Sequence, residues 1–494
     1  MHAPNRPQRI LILGGGTAGW IAANLFARHW PGVAVSVLES SEIGIIGVGE
    51  GSTPQLKAFF DTIGLAEADW MPACHATYKT GIRFNDWSRR PGFESYFHPF
   101  PAQVDEHTLP AFYYHCHARR HGIDLPAHPD RYFLNAALAE RRLAPLPAHH
   151  FPFLVAYGYH FDSALLGVRL RQHAQGLGVQ HLEGKVVRVE RAESGAVQAL
   201  HTEDGRRLEA DLYIDCSGFR ALIHQEALGV PFLPFKRNLY NDSAVVMPTP
   251  PDAEGLRCQT DSTALKHGWA WKIPLTHRNG NGYVYSADHC SADAAETELR
   301  MRLGLLDSDV HARHLKMRVG RVEQTWAHNS VAIGLSQGFI EPLEATAIHL
   351  VLETVERLIR ACDAPGDLAQ RRQRFNEDIA RRIEGIRDYI VCHYRVNQRE
   401  DTDYWRANAA NEALSDSLRR VLECWFHGEN LHQEIQRQGI ASAYPSMSWH
   451  CLLAGYGTFP DELVAPSAEQ QRYDTAVIDD FIARCALNFP SSSG

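Results

Sequence analysis

Gly14-Gly15-Gly16-Thr17-Ala18-Gly19 has GxGxxG spacing, and the chemistry served by that spacing is the grip on a pyrophosphate. Gly14 permits a tight turn, Gly16 lets the backbone approach the phosphates, and Gly19 lets a helix pack on a strand. The helix start, with Thr17 and Ala18, brings N–H groups and a positive dipole end to the anion. Glu39 ends the next strand, 20 residues beyond Gly19, and is placed to accept hydrogen bonds from ribose hydroxyls. A glycine-rich turn without a ligand is the plain alternative. It leaves the flanking strand and helix, and the acidic residue at that distance, without a reason.

A second glycine-rich loop, Gly47-Val48-Gly49-Glu50-Gly51-Ser52-Thr53-Pro54, follows the second strand. Asp211-Leu212-Tyr213-Ile214-Asp215-Cys216-Ser217-Gly218 ends another strand in a small-residue turn, which lets backbone pack against a dinucleotide. A simple nicotinamide dehydrogenase needs neither. The expected cofactor is therefore FAD, with Val48 and Glu50 beside it.

The elements that must position these loops read as strand, turn, helix, strand over residues 9–39. The apolar run 10–13 suits a parallel strand buried on both faces, 18–26 a helix, and 33–38 a valine-rich strand. Val186-Val187-Arg188-Val189 and residues 208–214 flank the turn Glu203-Asp204-Gly205, a hairpin signal. A second strand pair is expected at 269–273 and 283–286, joined by Asn279-Gly280-Asn281-Gly282. From about residue 348 the chain reads as helical. Ile348, Val351, Leu352, Val355, Leu358 and Ile359 form one stripe, and Phe375, Ile379, Ile383, Ile386 and Ile390 another. Ser491-Ser492-Ser493-Gly494 reads as a disordered tail. The fold class expected is α/β: a Rossmann-like, FAD-binding module of the flavin monooxygenase type, with an additional β-sheet and a mainly helical C-terminal part. Domains are expected at 1–360 and 361–494, the second covering the substrate.

Composition bounds the partners. The chain has 494 residues, ordinary globular hydrophobicity and a formal net charge of -9, which argues against nucleic acid or an anionic membrane as the main partner. No apolar run reaches the ~18–20 residues of a membrane helix, and the polar N-terminus carries no secretory signal. Ten cysteines without a CxxC pair fit a reducing, cytoplasmic setting. His117 and His121 have helical i,i+4 spacing, but no second cysteine pair accompanies them, so no metal is expected.

Four further segments narrow the reaction: Trp269-Ala270-Trp271-Lys272-Ile273-Pro274, Tyr78-Lys79-Thr80-Gly81, Glu341-Pro342-Leu343-Glu344-Ala345-Thr346-Ala347 and His98-Pro99-Phe100. Taken singly each is ordinary. Two same-face aromatics are common in core strands, a generic lysine is a solvated surface residue, and glutamates before a helix complement its dipole. With the dinucleotide segments they make the chain resemble the flavin-dependent tryptophan halogenase family, from the N-terminal strand to at least Leu352. The first segment fits the family's WxWxIP signature.

The resemblance implies a reaction in which FADH2, O2 and a chloride or bromide ion yield hypohalous acid. That oxidant would travel past the tryptophan wall to Lys79, which holds it by a hydrogen bond or as a haloamine. Glu344 would stabilise the cationic ring intermediate and take its proton. Thr346 and Ala347 would offer backbone N–H groups to the halide. His98, Phe100 and Trp449 would hold an indole-like or tryptophan-like ring by stacking, and Val187, Leu335 and Ile348 would join the cofactor site. The sequence departs from the family where Ala345 replaces a serine and Thr346-Ala347 a Thr-Gly pair. The stretch 449–456 also lacks the tyrosine pair and acidic residue that clamp free tryptophan. A simpler indole, another electron-rich aromatic, or a tryptophan-like unit on a larger molecule is therefore the expected substrate. With no second GxGxxG unit, a separate NAD(P)H-dependent flavin reductase is the expected partner, and a homodimer is left open. The rival readings are an FAD-dependent aromatic hydroxylase, which would need neither Lys79 nor the tryptophan wall, and a non-catalytic flavin-binding protein.

Overall fold

The computed structural model describes residues 6–42 and 50–492, so Val48 lies outside the described residues. The chain forms two compact units. The first comprises Met1–Ala76, Phe161–Lys236 and Arg318–Glu384, and the second Thr77–His160, Arg237–Met317 and Gly385–Gly494.

The first unit is built on a six-stranded sheet. Arg9–Leu13 lies between Leu212–Asp215 and Ala34–Glu39, with Gln180–Glu183 and Ser330–Ala332 outside them, all parallel; Trp326–Ala327 closes one edge antiparallel. Ile10, Leu11, Ile12 and Leu13 are all buried, as a strand covered on both faces requires. Helices Thr17–His29, Ser163–Gly176 and Ala347–Asp363 pack with it. The expected stripe in the last of these is buried from Ile348 to Ile359.

The second unit holds a seven-stranded sheet in the order Arg313–Lys316, Ser243–Thr249, Asn279–Tyr285, Gly268–Pro274, Thr260–Leu265, Gly81–Asn85, Ser95–Pro99. Only Thr260–Leu265 and Gly81–Asn85 run parallel to each other. Helices follow through the C-terminal part, among them Asp416–Phe426, Ser446–Gly455 and Thr475–Ala486. Leu368–Arg395, whose residues up to Glu384 belong to the first unit, carries the second expected stripe, with Phe375, Ile379, Ile383, Ile386 and Ile390 buried. Among the described residues no helix is long and apolar enough to cross a membrane.

Three expectations need correction. The turn at 203–206 joins Val197–Thr202 to the short strand Arg207–Leu208. Val197–Thr202 also pairs with Val186–Arg191, whereas Leu212–Asp215 leaves for the parallel sheet. The strand Val197–Thr202 was hidden because register shifts at 197/199 and 201/202 break its apolar alternation. Asn279-Gly280-Asn281-Gly282 is strand rather than turn, and the reversal falls at 275–278, where Leu275 N donates to Arg278 O at 2.9 Å. Gly282 lies under the Trp271 indole: a Cβ there would come within 2.1 Å of the ring, so this glycine serves close packing, not a bend. Ser491 and Ser492, expected in a disordered tail, are held in place, and Ser493 and Gly494 lie outside the described residues. Ser491 bridges Leu143, and Ser492 N donates to Arg142 O at 2.9 Å.

Gly282→Ala is expected to displace Trp271 and cost about 1–3 kcal/mol by overpacking. Urea unfolding of the variant against the parent protein measures it.

Candidate functional site

In the first unit the glycine turn is shaped by what lies against it. Gly14, at φ +111°, packs on the turn after Leu212–Asp215, and a Cβ there would sit 2.2 Å from Cys216 O. Asp215 holds that turn with its buried carboxylate. It accepts from Ser217 N at 3.0 Å and Ser217 Oγ at 2.6 Å, and from Ile223 N and His224 N at 2.9 Å each. A Cβ on Gly19 would come 2.0 Å from Gly14 O, so helix and strand touch here as the spacing demands. Gly16 caps the helix Thr17–His29 with no side-chain hydrogen bond and no acidic residue in the first turn, which leaves its N–H groups and dipole to an anion. The Glu39 carboxylate lies over Gly15, where a Cβ would be only 1.5 Å from Oε2, and pairs with His181 Nε2 at 2.8 Å. A backbone cradle with a carboxylate beside it fits a dinucleotide.

Glu50 follows on the strand Glu50–Gly51, and crowding by protein pushes its carboxyl up to about 7, with the Asp162 charge adding to the effect. Leu335 is half-buried in the turn Gly334–Ser336, and Ile348 is buried in the first turn of Ala347–Asp363. Val187, by contrast, is 60% exposed on the antiparallel sheet.

Glu344 ends the tight turn Pro342–Glu344 and is buried. Ala345 then takes the left-handed region at φ 53°, an uncommon conformation for a residue with a Cβ, and its N–H donates to Pro342 O at 3.0 Å. Thr346 is the N-cap of Ala347–Asp363, so the strained residue swings the chain from the carboxylate directly into a helix start. His349, unnoticed in the sequence, ties that helix to its surroundings. Arg382 Nη2 donates to His349 Nε2 at 2.6 Å, and Thr53 Oγ1 lies 3.5 Å from Nδ1. Burial and the Arg382 charge lower the imidazole to about 4.

The second unit holds Lys79, His98, Phe100 and Trp449. Lys79 ends the strand Thr77–Lys79, which pairs antiparallel with Gly158–Phe161 so that Thr77 faces His160 and Lys79 faces Gly158. Lys79 has 0% exposure. Because Gly158 carries no side chain, room is left on that face for the lysine. The Phe100 ring lies 5.6 Å from Lys79 Nζ. The backbone beyond is clamped: Thr80 N and Oγ1 donate to Cys258 O at 2.7 and 2.8 Å, and Phe100 N donates to Thr80 O at 2.8 Å. Asn135 Nδ2 donates to Phe100 O at 2.6 Å. His98 and Trp449 are joined through Tyr389, whose ring meets His98 at 6.2 Å and Trp449 at 4.9 Å, both edge-on, and stacks on Tyr444 at 3.6 Å. Trp269 and Trp271 lie on one face of Gly268–Pro274, with rings 6.0 Å apart.

The structure thus gathers the dinucleotide turn, Glu344, Thr346 and Ala347 in one unit, and Lys79 with the aromatic residues in the other. Tyr389, Tyr444, Asn135 and His160 escaped the sequence reading, since only strand register and helix packing bring them to these places.

A tryptophan halogenase family model matches residues 9–471. The chain belongs to the tryptophan halogenase family. It is 38% identical to the tryptophan 6-halogenase SttH of Streptomyces toxytricini over 85% of this chain and 84% of that one. It is 36% identical to the 7-chloro-L-tryptophan 6-halogenase KtzR of a Kutzneria species over 91% and 90%. The crystal structure of SttH superposes with a TM-score of 0.84 at 33% identity, covering 98% of this chain and 99% of the other. A tryptophan halogenase of Shewanella frigidimarina gives a TM-score of 0.87 at 29% identity, covering 100% and 97%.

Gly15→Ala must push Glu39 aside and is expected to weaken FAD binding by about tenfold or more, about 1.4 kcal/mol, as read by flavin fluorescence titration. Glu50 has its folded pKa raised, so the folded state holds a proton that the unfolded chain releases between about 4.5 and about 7. Stability is therefore lost as pH rises through that window. The melting temperature of apo Glu50→Gln should match the parent protein near the lower value and exceed it above the upper one.

Proposed function

We infer that the protein is an FADH2-dependent halogenase acting on an electron-rich, indole-like ring, with Lys79 delivering the halogen and Glu344 taking the proton. The observation that carries the assignment of Lys79 is its complete burial beneath an aromatic ring: a lysine amine withdrawn from water is not a solubilising group. When bound and reduced, a flavin held by these residues would supply hypohalous acid from O2 and halide. Lys79 receives it at Nζ: an N–halogen bond forms as the halogen–oxygen bond breaks, the displaced N–H proton leaves with the hydroxide as water, and the haloamine aims the electrophile at one ring carbon. Phe100, His98 and Trp449 hold the ring by stacking and edge contacts. Glu344, as a carboxylate, stabilises the cationic ring intermediate and accepts its proton. The N–H groups of Thr346 and Ala347 at the helix start attract the halide. Gly14, Gly16, Thr17, Ala18, Gly19 and Glu39 hold the dinucleotide, with Glu50, Leu335 and Ile348 extending the site; Val187, exposed on its sheet, is its least supported member.

The helical part from 361 to 494 covers the substrate. A carboxylate to match a free amino acid's ammonium is absent from 449–456, which favours an indole without charged head groups. A separate NAD(P)H-dependent reductase delivers FADH2, since the sequence holds one GxGxxG unit. Ten free thiols favour the cytoplasm.

With FAD, a reductase, NADH, O2 and bromide, indole should yield bromoindole by mass spectrometry, and free tryptophan less. A hydroxylated product would mean a monooxygenase, and no product a non-catalytic flavin protein. Lys79→Ala should lower bromination by about 10²–10⁴-fold while FAD affinity is unchanged. Persistent bromination would refute the role of Lys79.

A further inference from the structure

The ladder that carries Lys79 also carries a fully buried imidazole on the same face. With Thr77 opposite His160 and Lys79 opposite Gly158, strand alternation puts all four residues on one side, His160 diagonal to Lys79. The proton positions around that imidazole follow from its neighbours. The single hydroxyl proton of Thr77 is given to Pro274 O at 2.7 Å. His160 Nδ1, 3.1 Å from the same oxygen, must therefore be the donor. Burial, with the Lys79 charge acting in the same direction, holds the imidazole well below its usual range, so the ring is neutral and Nε2 keeps a lone pair. Thr260 Oγ1 lies 2.9 Å from Nε2 and donates to it. Each ring nitrogen is engaged, and the chain Thr260, His160, Thr77, Pro274 runs from one strand of the large sheet to the end of the tryptophan strand.

We propose that His160 is a positioning residue for Lys79, locked by Thr77 and Thr260 as the neutral Nδ1–H tautomer so that it braces the lysine's strand while offering neither a positive charge nor a free lone pair beside the amine. The proposal rests on Lys79 as the halogen-delivering group. Hypohalous acid attacks neutral imidazole as well as amines. A histidine with an open Nε2 would compete for the electrophile, whereas one already accepting from Thr260 does not.

Two measurements test this separately. In 15N-histidine-labelled holoprotein, the His160 signals, assigned by their loss in His160→Gln, should show the Nδ1–H tautomer and no titration from about pH 6 to about pH 8. The Nε2–H tautomer, or titration within that range, overturns the proposal whatever Lys79 does. In kinetics, His160→Leu should lower kcat for indole at least about tenfold with KM changed less than about twofold. Thr260→Val, which keeps the imidazole, should fall between it and the parent protein. His160→Gln, which keeps an acceptor for Thr260, should recover most of the loss. Rates are taken per FAD-loaded, folded protein. An unchanged kcat in both His160→Leu and Thr260→Val, or kcat and KM moving together, overturns it. Loss of activity in Lys79→Ala with no effect of these variants would leave the Lys79 assignment standing and remove only His160.

Discussion

Keeping a lysine amine out of water is unfavourable, and much of the second unit's local structure is arranged around that constraint. Lys79 is wholly buried at the end of a three-residue strand. The strand is too short to hold itself, so its neighbours do so. Thr80 is fastened twice to Cys258 O, Phe100 N is fastened to Thr80 O, and Asn135 fixes Phe100 from the other side. Gly158, opposite Lys79, puts no side chain on that face. The Phe100 ring lies 5.6 Å from the amine, so an aromatic surface is part of its surroundings. Specific halogenation requires such an environment, because free hypohalous acid would attack any exposed electron-rich group.

The first unit solves a different problem with the same economy. A pyrophosphate needs backbone N–H groups at close range, and side chains would keep it away. Gly14 packs on Cys216, Gly19 on Gly14, and Gly15 under the Glu39 carboxylate, each at distances that leave no room for a Cβ. The buried Asp215, with four hydrogen bonds, keeps the supporting turn in place. The glycine turn is thus shaped by contacts among small residues and one orienting carboxylate. The strain at Ala345 belongs to the same unit, where it turns the chain from Glu344 into a helix start.

The strand, glycine turn and helix were legible in the sequence because the pattern is local: glycine spacing, apolar run and helix all fall within one stretch of chain. The amphipathic helices were legible for the same reason. The tryptophan segment was found, but the strand next to it was misread. Asn279-Gly280-Asn281-Gly282 has the composition of a turn, and only the Trp271 indole lying over Gly282 explains why it is a strand. Lys79 and Glu344 were visible through family resemblance and not through any local pattern, since a lone lysine or glutamate carries no signature. His160, Asn135, Tyr389 and Tyr444 depend on register and on contacts between residues tens to hundreds of positions apart, which composition does not encode.

The role proposed for Lys79 is to hold the oxidising equivalent between its formation and its use. A delayed-acceptor experiment measures this directly. FADH2-loaded enzyme is allowed to react once with O2 and bromide without an aromatic, small molecules are removed by rapid gel filtration, and indole is then added. The parent protein should still brominate indole, with a yield approaching one product per active site, and Lys79→Met should give none. Equal yields from the two proteins would contradict the account.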